Sequence, residues 1–314
     1  MSKFTPENAC IISVAPIMLP VSGRPVEMSI RVTAPVTGTK LPVILLSHGH
    51  GAANNLSSLN GYAPVAQAWA AAGFVVIQPT HLSSRTLASQ LSDTSGAPFF
   101  WRSRAEDMSH IIDNLSRVVD AVPTLSGRVD STRIAIAGHS LGGFTAELLM
   151  GAEVTDPDTQ EKVNLQDERI KLGVLLAAPG RGGDTLNGWM AEKTPFFRTI
   201  DLSTMTTPAL VVAGSRDDSQ HFTDMGPEWH ADPYHLAPSP KTLLTVFNAE
   251  HLLGGISGYD ADETTDENPE CVAAIANSTA TWLHYHFGSD NTLWQDATEM
   301  LTGDANPWAK IESK

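Results

Sequence analysis

One six-residue run, Gly138-His139-Ser140-Leu141-Gly142-Gly143, constrains this chain more than any other feature. The five residues before it, Arg133 to Ala137, are short, apolar and partly β-branched, the pattern of a buried parallel strand. The seven after it, Phe144 to Met150, have the spacing of a helix. Gly-x-Ser-x-Gly between a strand and a helix is the pattern of a nucleophile elbow. The turn leaves no room for side chains two positions either side of the serine, which explains Gly138 and Gly142. It lifts the Ser140 hydroxyl to the carboxyl end of the sheet, above the start of a helix. There the backbone N–H groups and the helix dipole stabilise a developing oxyanion.

The rest of the chain supplies the sheet that such a turn requires. Residues 11–20 and 25–34 read as two strands around Ser22-Gly23-Arg24. Further strands are expected over 42–46, 74–77, 133–137, 171–177, 208–213 and 243–247, and helices over 63–72, 102–122, 141–151 and 271–287. Strands alternating with helices predict one α/β domain over 1–314, with a mostly parallel central sheet covered on both faces. Residues 79–100, 180–207 and 215–240 interrupt the alternation. They are rich in Gly, Pro and aromatic residues, and read as insertions that build a pocket at the carboxyl ends of the strands.

A serine hydroxyl needs a base, and the base needs an orienting carboxylate. In elbow folds the chain order is Ser, acid, His, with each partner just past a later strand. Asp217 and Asp218 leave the strand that ends at Ala213-Gly214, and Asp217 is the preferred acid, with Asp218 the alternative. His251 lies four residues past the strand over 243–247 and is the last histidine before the closing helix. It alone among eleven histidines meets both requirements. The two oxyanion N–H donors are expected from Leu141 and from His50, in the loop Ser47-His48-Gly49-His50-Gly51. Gly49 and Gly51 let that backbone approach a substrate closely.

The His-Gly-x-Gly loop, the Gly-x-Ser-x-Gly-Gly elbow, the strand-end Asp and the late His together resemble the α/β-hydrolase superfamily over most of residues 10–287. Leu46 to Gly51 with Gly138 to Gly143 is similar to the platelet-activating-factor acetylhydrolase, chlorophyllase and dienelactone-hydrolase-like group. Ser140 stands where dienelactone hydrolases proper have cysteine. The resemblance implies an α/β-hydrolase fold and a serine carboxylesterase acting on a small or medium ester through an acyl-enzyme. The same machinery serves lactones, thioesters, amides and polyesters. A non-catalytic binding protein of this fold typically lacks a triad member, and no candidate is missing here.

Pocket-lining residues are expected from His81, after the strand over 74–77, from Phe100 and Trp101 with Phe99, and from Trp229. The segment 221–235 holds three histidines and three acids, but its spacing fits no zinc pattern and it reads as a substrate-side loop or short cap. Residues 260–270 carry Asp260, Asp262, Glu263, Asp266, Glu267 and Glu270 without a basic residue and read as a solvated acidic loop. It lacks the sixth-position glycine and the twelfth-position glutamate of a calcium loop. No metal or cofactor is expected.

The net charge of −15 argues against nucleic acid or an anionic membrane as partner, because phosphate contacts need clustered Lys and Arg. The expected partner is a small-molecule ester, and nothing in the sequence sets the oligomeric state. Residues 1–8 lack a basic region followed by an apolar one, which reads as no signal peptide. Cys10 and Cys271 read as two buried free thiols, and the expected compartment is the cytoplasm.

Overall fold

The computed structural model describes residues 9–258, 261–288, 292–303 and 307–314. Residues 1–8, read above as free of an export signal, and Asp260 of the acidic run lie outside the described residues. Along the chain run β1 (Ile11–Leu19), β2 (Met28–Pro35), β3 (Leu41–Ser47), α1 (Ala63–Ala71), β4 (Val75–Pro79), α2 (Ala88–Leu91), α3 (Trp101–Asp113) and α4 (Leu115–Asp120). Then come β5 (Val129–His139), α5 (Leu141–Leu149), β6 (Glu153–Thr155), β7 (Lys162–Asn164), β8 (Ile170–Leu176), α6 (Gly188–Lys193) and β9 (Ala209–Gly214). The last elements are α7 (Asp232–Leu236), β10 (Lys241–Val246), α8 (Pro269–His286), α9 (Thr292–Thr302) and β11 (Ala309–Ser313).

The fold is α/β, with a large, mostly parallel central sheet flanked by helices. Nine strands stand in the order β1-β2-β4-β3-β5-β8-β9-β10-β11. The six from β4 to β10 are mutually parallel. The antiparallel pairings lie towards the two edges.

The alternation along each strand sorts side chains between two cores. Val43, Leu45, Ile134, Ile136 and Val211 face Met108 and Ile111 of α3 and Ala146 and Leu149 of α5. Ile44, Leu46, Ala135, Ala137 and Val212 face Trp69 of α1 and Ile275 and Leu283 of α8. Burial on both faces is why β3 and β9 read as continuous apolar runs rather than alternating ones. A third cluster joins Phe144 and Leu148 of α5 to Val154 and Val163 of the β6–β7 hairpin and to Phe196, Phe197 and Trp229 of the insertions. That cluster stands beside the elbow.

Several boundaries differ from the sequence reading. The helix expected over 102–122 is two helices. The Asn114 side-chain amide donates to the His110 carbonyl, competing with the helix ladder at φ −112° and ψ 20°. α8 begins at Pro269 because Asn268 caps it, its Oδ1 accepting from the Glu270 and Cys271 N–H groups. The β6–β7 hairpin, α9 and β11 carried too little apolar periodicity to be read. Cys10 and Cys271 are both free, but Cys10 is exposed, because the strand it precedes is the sheet edge.

Among the described residues no helix is long and apolar enough to cross a membrane.

Candidate active site

Ser140 follows β5 directly and precedes the first residue of α5, with φ 53° and ψ −121°. A non-glycine residue held at positive φ is strained by about 1–3 kcal/mol, so the surroundings must enforce it. They do so by contact. A Cβ at Gly138 would stand 1.9 Å from the Gly142 carbonyl oxygen, and one at Gly142 would stand 2.1 Å from the Ser47 oxygen. The Ser140 N–H is spent on the Leu176 carbonyl at 3.0 Å, which ties the turn to β8. Leu141 opens the helix, in the first turn where backbone N–H groups have no intrahelical acceptor.

His251 and Asp217 arrive from the loops after β10 and β9. His251 Nε2 lies 3.0 Å from Ser140 Oγ, and Nδ1 lies 2.8 Å from Asp217 Oδ2. Asp217 is buried. Its neighbour Asp218 is exposed, with Oδ2 taken by the Gln220 amide at 3.2 Å, so it is Asp217 that the fold brings to His251. Burial alone would push the Asp217 carboxyl up. Hydrogen bonds from His230 and His251, and their charge, outweigh it and hold the carboxyl well below the usual carboxylate range.

A second chain of hydrogen bonds fixes the frame around these residues. The Gly49 N–H donates to the Tyr62 hydroxyl at 2.9 Å, and the hydroxyl donates to His139 Nδ1 at 2.8 Å. His139 Nε2 then donates to the His251 carbonyl at 2.8 Å. A carbonyl only accepts, so His139 carries its proton on Nε2 and accepts at Nδ1. Burial, helped by His251, pushes the His139 imidazole down to about 3, which keeps it neutral and this assignment single. The loop holding His50, the elbow and the His251 loop are thus one connected unit.

The pocket over Ser140 is lined by His50, Phe99, Leu141, Ala177, Pro179, Met190, Thr194, Phe196, Phe197, Phe222, Trp229, His230 and His251. No Lys, Arg, Asp or Glu stands among them. Both long insertions contribute, Met190 to Phe197 from the first and Phe222 to His230 from the second.

Of the four expected pocket residues, Trp229 lines this space, as do His50 and Leu141, the residues expected to supply oxyanion N–H groups. Three do not. His81 is fully buried, with Nδ1 2.9 Å from Asp107 and Nε2 3.0 Å from Ser47 Oγ. It braces β3 from beneath, beside the buried Arg104, which binds Ser47, Ser83, Thr145 and the His48 carbonyl. Phe100 packs into a separate cluster with Leu82 and Leu91. Trp101 is buried as the first residue of α3 and stacks on Phe196 at 5.6 Å from behind the pocket wall. Phe99, whose ring lies 6.0 Å from Phe196 and 5.2 Å from His50, is the member of that trio that faces the pocket.

Sequence reasoning missed Phe196 and Phe197, although they lie in an insertion already marked for its aromatics. It also missed His230 and Ser219. His230 is 1% exposed and lies 3.1 Å from Asp217 Oδ2. The three-histidine segment signalled it, but nothing in the spacing separates a buried histidine from an exposed one.

Asp217, His230 and His251 offer three ligand atoms within 4.8 Å of one another. They do not suit a metal ion. Both imidazole nitrogens already turn to a single carboxylate oxygen at hydrogen-bond distance, and the fourth polar atom there, Ser219 Oγ, bonds the same carboxylate. The acidic run is less solvated than its composition implied. Glu263 accepts from the Ala53 N–H at 2.7 Å, and Asp266 accepts from the Glu250 and Gly254 N–H groups at 2.7 and 3.0 Å. These carboxylates tie the His251 loop to the chain after His50.

No protein-family model matches the chain, and no curated protein matches it either.

Proposed function

We propose that this protein is a serine hydrolase of α/β-hydrolase fold that cleaves carboxylic esters whose acyl group is apolar and uncharged. The observation that carries this reading is the hydrogen-bonded line Ser140–His251–Asp217 opening onto an aromatic pocket whose walls hold no Lys, Arg, Asp or Glu. The order of the sheet, with the elbow at the end of its central strand, supports the fold assignment.

In this reading Ser140 Oγ attacks the ester carbonyl carbon while His251 Nε2 takes the hydroxyl proton. Asp217 holds the imidazole in the tautomer with hydrogen on Nδ1 and balances the charge it gains. The carbonyl oxygen becomes an oxyanion held by the Leu141 and His50 N–H groups. The C–O bond then breaks, and His251 passes its proton to the departing alcohol. Water enters, gives a proton to His251 and attacks the acyl-enzyme carbonyl. Collapse of the second intermediate releases the acid and returns the proton to Ser140. The pocket lining selects the acyl group. A carboxylate-bearing acyl group would meet no Lys or Arg there, and the imidazole of His230 is held by Asp217, so burying the charge would cost several kcal/mol and charged lactones and dicarboxylic esters are disfavoured.

Mixing with p-nitrophenyl acetate should give a burst of p-nitrophenol and then steady turnover, and a fluorophosphonate should label Ser140. Ser140→Ala should lose at least ~10³-fold in rate at unchanged Tm, because the hydroxyl fills no core space. An Ala variant that keeps its activity, or a wild type that reacts with neither probe, would sink this reading.

A further inference from the structure

We infer that His230 is a positioning residue of this site: a second imidazole on Asp217 that carries a proton on both nitrogens, offsets the carboxylate charge and so leaves His251 free to act as a base at lower pH. The inference rests on the proposed function, and it comes from counting hydrogens.

His230 is 1% exposed, lines the same pocket as Ser140 and His251, and meets the same Asp217 oxygen as His251. Its Nδ1 lies 2.8 Å from the Ala178 carbonyl oxygen, which only accepts, so Nδ1 bears a hydrogen. Its Nε2 lies 3.1 Å from Asp217 Oδ2 and 3.0 Å from Ser219 Oγ. Ser219 has one hydroxyl hydrogen. Its Oγ stands 2.7 Å from Asp217 Oδ1, a contact between two oxygens that is tolerable only with that hydrogen between them. Nε2 therefore faces two acceptors and must be a donor as well. The backbone of Ser219 is held at φ 37°, in the left-handed region, which presents its hydroxyl to the carboxylate. Asp217 thus receives three donors: Ser219 on Oδ1, and His230 and His251 on Oδ2.

The other titratable groups around this pair do not compete for the role. His139 from β5, His221 from the loop after β9 and His50 from the loop after β3 are each lowered from the ordinary imidazole value, with desolvation the leading cause, which favours their neutral forms. Asp232, on α7, is committed to the Arg181 guanidinium and backbone N–H at 2.7 to 3.0 Å. Glu147 on α5 is pushed well above the carboxylate range by burial and then by the charge of Asp232, which favours its neutral form. Beside the His251 loop, Glu250 pairs with Arg216 at 3.9 Å and Asp266 binds two backbone N–H groups. The His230 cation is then the charge that sets how strongly Asp217 favours protonation of His251, whose ring centroid lies 5.4 Å away.

The test is the pH profile of kcat/KM for p-nitrophenyl acetate in wild type and His230→Gln. Without the cation, Asp217 attracts a proton onto His251 more strongly, so the acid limb moves up. For unit charges 5.4 Å apart in a medium between a protein surface and water, the shift is about 0.5 to 2 pH units. A role in packing alone would lower Tm or kcat and leave the limb in place, and that result overturns the inference. The ¹⁵N resonances of His230 in the wild-type protein give an answer that needs neither a variant nor turnover. Two protonated nitrogens across neutral pH are expected, and one unprotonated nitrogen overturns it. A protein that no Ser140 probe labels would defeat the proposed function, whereas a labelled, active His230→Gln with the wild-type acid limb defeats only this inference.

Discussion

Glu147 offers a prediction whose size follows from its surroundings. It lies on α5, seven residues after Ser140, and is fully buried. Neither carboxyl oxygen has a hydrogen-bond partner. Burial first, and then the charge of Asp232, push the carboxyl well above the usual carboxylate range. Leaving a buried polar group unpaired costs about 1–3 kcal/mol. Glu147→Met keeps the chain length and removes the polar atoms, so it should stabilise the fold by about that amount. A chain of 314 residues loses stability near its midpoint at about 0.7 kcal/mol per degree, so the gain corresponds to a Tm rise of roughly 1.5–4.5 °C. The sign of the pH dependence follows from linkage. The folded state holds the proton more tightly than the unfolded chain, so stability falls as pH rises above the ordinary glutamate value, by about 1.36 kcal/mol per unit until the folded group itself ionises. Glu147→Gln removes only that ionisation penalty. Its advantage over wild type should be near zero around pH 4 and widest at alkaline pH, whereas Glu147→Met keeps an advantage throughout. Urea unfolding of the three proteins at acidic and alkaline pH measures both effects. A Met variant less stable than wild type, or a Gln variant whose difference does not change with pH, would refute the reasoning.

Two further outcomes follow from the site. Asp217→Asn should reduce kcat by about 10⁴-fold through loss of the correct His251 tautomer, while exposed Asp218→Asn should stay within about twofold, and steady-state kinetics on both variants decides between the neighbours. Gly143→Ala would place a methyl group 2.5 Å from Ala178 Cβ, between α5 and the end of β8, and this overpacking should cost about 1–3 kcal/mol by urea unfolding. A Gly143→Ala protein of wild-type stability would show that the helix is free to move away.

The positions of Ser140, His251 and the Asp217–Asp218 pair were legible because local rules govern them. A tight strand-to-helix turn needs glycines at fixed offsets. Strand ends are marked by the loss of apolar residues, and chain order then leaves few candidates. The parallel sheet was legible for the same reason, since strands buried on both faces become continuous apolar runs. His81 shows where that reasoning stops. It follows a strand end as a pocket residue would, yet its ring turns inward to Asp107 and Ser47. Phe99, Phe100 and Trp101 are consecutive, and a local backbone turn with Phe100 at φ 48° sends Phe100 to a separate cluster while Phe99 and Trp101 both pack against Phe196.

By itself, the sequence determined the α/β alternation, the elbow serine and the histidine that stands beside it, and narrowed the carboxylate to two neighbours. Each of these depends on residues close in the chain or on strand order. Only the tertiary structure decided which aromatics wall the pocket, that Asp217 rather than Asp218 turns inward, and that His230 lies against the carboxylate. Those outcomes depend on how two long insertions without regular periodicity pack against α5. Such packing is set by the fit of side chains distant in sequence, among them Phe144, Phe197 and Trp229, which no local pattern encodes.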